Sequence, residues 1–222
     1  MPQIIGLRKV AMSLAMFAVV ALGSAVAAKA DTVTFQLNQG STLPSQNYGS
    51  ITLTLNGSGG IDVQVSLLAG NRIVHTGFDA SVTFNMNGAN SQIGVTGLPG
   101  TYTLVNSGNA SSIGMDGFGT FEYGVLFGPN GGGAGTDSSL SFTVTRAGGF
   151  ASVFDLVANS TNPPGSFSSP FAVDIICDSC NGGQGATGII GTGTAVPEPT
   201  TMLLLGTGLV GVAGAARRRF RK

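Results

Sequence analysis

Tryptophan is absent from the 222 residues, histidine occurs once, at His75, and cysteine occurs twice, at Cys177 and Cys180. Charge is scarce too: 9% of the residues are Asp, Glu, Lys or Arg, against ~25% in an average soluble domain. These shortages exclude several classes of protein. Ten cations in 222 residues supply no basic stripe, so no nucleic-acid partner is expected. A single histidine, with no G-x-S-x-G and no S-x-x-K, leaves neither a metal-binding histidine pair nor a recognisable nucleophile. What replaces charge is glycine. Its 36 residues are too many for a helical enzyme, while a hydrophobic share of 42% excludes a disordered polyelectrolyte.

The formal net charge of zero conceals a segregation. Arg8, Lys9 and Lys29 lie near the start, and Arg217, Arg218, Arg219, Arg221 and Lys222 close the chain. Between Asp31 and Ala195 there is no lysine, and two arginines face nine acids, a net −7. Both cationic clusters flank apolar runs, as topology signals do.

At the N-terminus, Arg8 and Lys9 precede an apolar run from Val10 to about Leu22 and then small residues. This is the pattern of a secretory signal peptide, residues 1–30, with Ala28-Lys29-Ala30 as the A-x-A cleavage site. Ala25-Val26-Ala27 is a second candidate; an uncleaved membrane anchor is the alternative, against which stand the shortness of the apolar run and the small residues that follow it. At the C-terminus, Val196-Pro197-Glu198-Pro199 is followed by an uncharged stretch, 200–216, and then by the five cations. As a helix this stretch is about 26 Å long, enough for a modest membrane span. The cations are expected to stay cytoplasmic as a stop-transfer tail, leaving the acidic middle outside.

The Val-Pro-Glu-Pro motif, the glycine-bearing span and the terminal arginines, in that order over 196–222, resemble the PEP-CTERM sorting signal of Gram-negative bacteria. The resemblance implies recognition by exosortase, an integral-membrane Cys-dependent protease or transpeptidase, through Pro197, Glu198 and Pro199. It also implies an inner-membrane-anchored precursor whose mature form is passed to the cell surface or exterior, in company with exopolysaccharide and biofilm functions. Physically, the two prolines hold an extended segment just outside the membrane, with Glu198 as a single charge at a defined height.

The middle reads as one β domain. Ile51, Leu53 and Leu55 alternate, Asn56-Gly57-Ser58-Gly59-Gly60 turns, and Ile61, Val63, Val65 and Leu67 return; this spacing predicts a hairpin with a five-residue loop. Similar alternation at Val33–Leu37, Val82–Met86, Phe121–Phe127, Leu140–Val144 and Phe171–Ile175 predicts about nine or ten short strands. The expected fold is mainly β, an antiparallel β-sandwich over 31–190, flanked by the signal peptide and a C-terminal transmembrane helix. Ser152–Asn159 also suits a helical turn. Six glycines in Asn181–Ala195 predict a flexible linker at 191–195. A sheet without lysine to guard its edges hints at lateral association.

Candidate chemistry is thin. Cys177-Asp178-Ser179-Cys180 reads most simply as a disulfide in an exported protein. Idle thiols and a redox or zinc site are the alternatives, the last two weakened by the following Asn-Gly-Gly and by the lack of further ligands. Asp137, Asp174 and Asp178 are candidates to meet around Ca²⁺, though a solvated acidic surface is the plainer reading. No cofactor is expected. The sequence therefore predicts a structural or adhesive component of the cell surface or extracellular matrix, not an enzyme, with exopolysaccharide or matrix proteins as partners. The alternative is a glycan-binding module, for which only Tyr48, Tyr102 and Tyr123 offer a ring with a polar tip. An extracellular hydrolase would need converging carboxylates, and Glu122 is the domain's one glutamate.

Overall fold

The computed structural model describes residues 31–87, 92–106, 113–129, 135, 137–164 and 167–196. Thirteen strands lie among them. They are β1 (Thr32–Gly40), β2 (Gly49–Leu55), β3 (Ile61–Leu67), β4 (Asn71–Ile73), β5 (Val82–Phe84), β6 (Ile93–Thr96) and β7 (Tyr102–Asn106). Then follow β8 (Ile113–Met115), β9 (Gly119–Phe121), β10 (Tyr123–Phe127), β11 (Ser139–Arg146), β12 (Phe171–Cys177) and β13 (Ala186–Val196). The surplus over the nine or ten expected comes from β4, β8 and β9. Each has three residues, too few for alternation to show.

Eleven strands form one antiparallel sheet, in the order β6-β11-β3-β2-β1-β13-β12-β5-β10-β7, with β4 paired to β12. The sheet curls on itself. Phe84 of β5 stacks on Phe142 of β11 with ring centroids 6.2 Å apart, although five strands lie between them in the sheet. The bend falls at β1 and β13, whose register shifts between Phe35 and Leu37 and again between Leu37 and Gln39; such bulges increase local twist and turn a sheet through a corner. The two layers of the sandwich are thus two halves of a single barrel-like sheet.

The main core lies between these halves. Every second residue of β2 and β3 points into it, as the hairpin predicts, and Asn56 closes the five-residue loop by accepting the Ser58 and Gly60 amides on Oδ1 at 3.0 and 2.9 Å. A second, smaller cluster sits on the opposite face of β12 and β13. There the β8–β9 hairpin lays Ile113, Met115, Phe118 and Phe121 over Ala172 and Ile189. The run from Phe121 to Phe127 is therefore two strands and not one. Phe121 serves the small cluster, Tyr123, Val125 and Phe127 serve the main core, and the chain breaks at Glu122 to change sides.

The linker expected at 191–195 is a correction. These residues belong to β13, which runs through the middle of the sheet to Val196 and pairs with β1 on one side and β12 on the other. Its glycines permit close packing. A Cβ at Gly191 would overlap the ring of Phe118, and one at Gly188 would overlap Thr42 and Leu43. The β domain therefore extends to 196.

Candidate functional site

Several of the expected site residues lie outside the described residues. These are Ala28 and Ala30 of the signal peptide, Pro197, Glu198 and Pro199, the span 200–216, and Arg217, Arg218, Arg219, Arg221 and Lys222. Among the described residues, no helix is long and apolar enough to cross a membrane. Cys177 and Cys180 are joined in a disulfide. It pins the end of β12, where Asn181 (φ 54°) and Gly182 (φ 69°) take left-handed conformations and turn the chain towards β13.

The three carboxylates considered for a Ca²⁺ site are in separate company. Asp178 pairs with Arg72 at 2.7 Å, and Asp137 accepts from the Tyr102 hydroxyl at 3.0 Å. Asp174 is fully buried, and its Oδ2 accepts from the Thr76 amide at 2.6 Å and the Thr76 hydroxyl at 2.7 Å. Burial lifts the Asp174 carboxyl to a pKa of about 6, against the lowering effect of the Thr76 bonds and of nearby His75. The β12 run Phe-Ala-Val-Asp-Ile-Ile-Cys gives no warning of this. Both faces of the strand are covered, so the aspartate that periodicity would send to solvent is enclosed. Burial also raises Glu122, against a backbone hydrogen bond at Met86.

The two arginines of the domain are both occupied. Arg146 pairs with Asp155 at 2.7 Å, donates to the Gly149 carbonyl at 2.8 Å and lies 4.4 Å over the Phe150 ring. The three tyrosines are all buried, with Tyr48, Tyr102 and Tyr123 at 4% exposure or less. The aromatic platform that would stack on a sugar ring is therefore not formed by them. Burial raises the Tyr48 and Tyr102 hydroxyls in pKa, and Asp137 adds to the effect at Tyr102.

The outward face of the half-sheet β1-β2-β3-β11-β6 carries an extended polar arrangement. Register aligns its side chains in rows across the strands. One row runs Thr32, Thr54, Asp62, Thr143, Thr96; the next runs Thr34, Thr52, Gln64, Ser141. Neighbours are hydrogen-bonded: Thr32 to Thr54 at 3.2 Å, Thr34 with Thr52 at 2.9 Å, Thr143 to Asp62 at 2.7 Å, and Ser141 to Gln64. Strands about 4.8 Å apart and side chains about 6.7 Å apart along each strand make a lattice of hydroxyls and amides, with Asp62 as its one charge. An open groove of about 340 Å³ crosses it, lined by Thr52, Thr54, Asp62, Gln64, Ser141 and Thr143. The alternating Thr, Ser and Gln residues were legible as a solvent face; their alignment into rows comes from register, which periodicity alone does not specify.

The β domain ends where another signal begins. The PEP-CTERM protein-sorting motif matches residues 195–219, so its first two residues are the last two of β13. The chain thus carries a PEP-CTERM sorting motif after its β domain. The motif implies an exosortase-targeted, exported surface protein processed from a membrane-anchored precursor. No curated protein and no solved structure matches the chain.

Proposed function

We propose that the protein is a non-enzymatic structural or adhesive component of the cell surface or extracellular matrix of a Gram-negative bacterium, working beside exopolysaccharide in a biofilm. The sorting motif supports the route. The observation that carries the role is the polar lattice on β1-β2-β3-β11-β6, a broad surface of hydroxyls and amides with one charge. Such a surface exchanges hydrogen bonds with a hydroxylated polymer while carrying almost no field of its own. The non-enzymatic reading is supported by the carboxylates, which are held in structural bonds: Asp31 to Ser152, Asp137 to Tyr102, Asp155 to Arg146, Asp174 to Thr76 and Asp178 to Arg72.

The route and the role are tested separately. Replacing Pro197 and Glu198 with alanine in the host is expected to retain the protein at the inner membrane; unchanged export of that variant would overturn the route. For the role, residues 31–196 are expected to co-sediment with the host's uncharged polysaccharide, and Thr52→Lys with Gln64→Lys to abolish this without unfolding the domain. Indifference to both lysines would sink the proposal.

The groove favours a second reading, a glycan-binding module with a defined subsite. Saturable binding of a short oligosaccharide, lost in Thr54→Val or Ser141→Ala, would distinguish this from a diffuse surface contact.

A further inference from the structure

The domain has two opposite ends, and the chain enters and leaves it at the same one. Register places Thr34 opposite Val196 and Thr32 opposite Thr54, so the start of β1, the end of β2 and the end of β13 lie together. The pairings Val144–Ile61 and Ala172–Gly191 bring the end of β11 and the start of β12 to this end as well. The segment joining those two strands carries a single 3₁₀ turn, Val153–Leu156.

This turn closes the core from outside. Val153 and Leu156 are fully buried. With three residues per turn these two share a side, and the residues between them point the other way. Phe154 is accordingly 52% exposed. The other exposed large apolar side chain among the described residues, Leu68 at 49%, lies at the far end, just past β3. The turn is braced on three sides. Asp31 Oδ2 accepts from Ser152 Oγ at 2.6 Å and from the Val153 amide at 3.3 Å, Arg146 holds Asp155, and Asn87 Nδ2 donates to the Phe154 carbonyl at 2.6 Å. Arg146 thus neutralises Asp155, and Asp31 is the remaining acid at the turn.

Chain length sets how far this end stands from a bilayer. The uncharged stretch starts at Thr200, four residues after Val196, and four residues reach at most about 14 Å. β1 already overhangs Val196, because Asp31 lies three residues beyond Thr34, about 10 Å along the strand. The end bearing the turn therefore meets the membrane surface as soon as the stretch is inserted.

We propose that Phe154 and its turn form a lipid-contacting face, and that in the anchored precursor the Phe154 ring rests in the interfacial layer of the bilayer, seating the domain in a fixed orientation over the sorting motif. An exposed apolar ring gains by leaving water for the headgroup–acyl boundary, where surface-lying segments carry Trp, Phe and Leu on their buried side, and a rigid turn presents one without loss of conformational freedom. The proposal rests on the reading of the precursor as membrane-anchored.

The absence of tryptophan provides the test. Phe154→Trp and Leu68→Trp each introduce a sole reporter at opposite ends of the full chain, reconstituted in phosphatidylethanolamine–phosphatidylglycerol vesicles with and without brominated acyl chains. The Phe154→Trp reporter is expected to show blue-shifted emission and loss of intensity with brominated lipid, and the Leu68→Trp reporter to show neither. Vesicle-bound protein whose Phe154→Trp emission ignores brominated lipid, or in which both reporters are quenched alike, overturns the lipid contact and leaves the anchored precursor standing. A chain that does not float with the vesicles overturns both.

Discussion

Gly191 of β13 lies under the ring of Phe118, close enough that a Cβ there would overlap Cε1 and Cδ1. Phe118 is fully buried within the small cluster and also packs against Phe167, with centroids 5.8 Å apart, so it has no free direction in which to retreat. Gly191→Val should therefore destabilise the domain by about 1–3 kcal/mol through overpacking. Urea denaturation checks this: the midpoint falls while the slope holds. An unchanged midpoint would show that the β8–β9 hairpin moves aside.

The boundary at Val196 is testable by truncation. Ending the chain at 190 removes the pairing of Leu37 with Thr192 and of Phe35 with Ala195, both in the middle of the sheet. Residues 31–196 are expected to fold with dispersed amide resonances, and residues 31–190 to remain unfolded or aggregated, since β1 then keeps only its Gly40–Ile190 pairing with β13 and is left with an open inner edge. A well-folded 31–190 fragment would restore 191–196 to the status of a linker.

Asp174 gives stability a pH dependence of unusual sign. Burial raises its folded-state pKa from 3.8 to about 6. The stabilising contribution is therefore full below pH 3.8 and is lost as the pH rises through 6. The shift corresponds to on the order of 2–3 kcal/mol. Asp174→Asn keeps an acceptor for Thr76 without the charge. The expected outcome is a higher urea midpoint than wild type at pH 7.5, a difference that shrinks towards pH 4. Parallel pH profiles for the two proteins would contradict it.

The disulfide closes a loop with a sequence separation of three. Loop-closure entropy for so short a ring is at most about 2 kcal/mol. Reduction, or Cys177→Ser with Cys180→Ser, is expected to lower the melting temperature by a few degrees and leave the far-ultraviolet circular dichroism intact. Collapse of the fold on reduction would mean that the bridge holds more than the end of β12.

How much could be read in advance depended on whether each feature was local. The β2–β3 hairpin was legible because its apolar residues alternate and its turn is built from Asn56 and three glycines within five residues. The turn at Val153–Leu156 showed as a break in alternation. The sorting motif was legible because it is recognised as a linear segment. Strand β13 was not. Covered on both faces, it has glycine where a half-exposed strand would have polar side chains, and Gly188 and Gly191 read as slack when they are close contacts. Asp174 was hidden for the same reason. The polar rows were half legible, since composition showed a polar face but only the pairing of five strands aligned it.

The first and last strands of the domain, β1 and β13, are neighbours in the sheet. In a chain exported from its N-terminus, β1 crosses first and waits for a partner that crosses last. Until then the half-sheets have no common strand between β1 and β12, and the core cannot close. The contact that joins the two half-sheets is therefore also among the most distant in sequence, Phe35 with Ala195, and it closes a far longer loop than any hairpin of the domain.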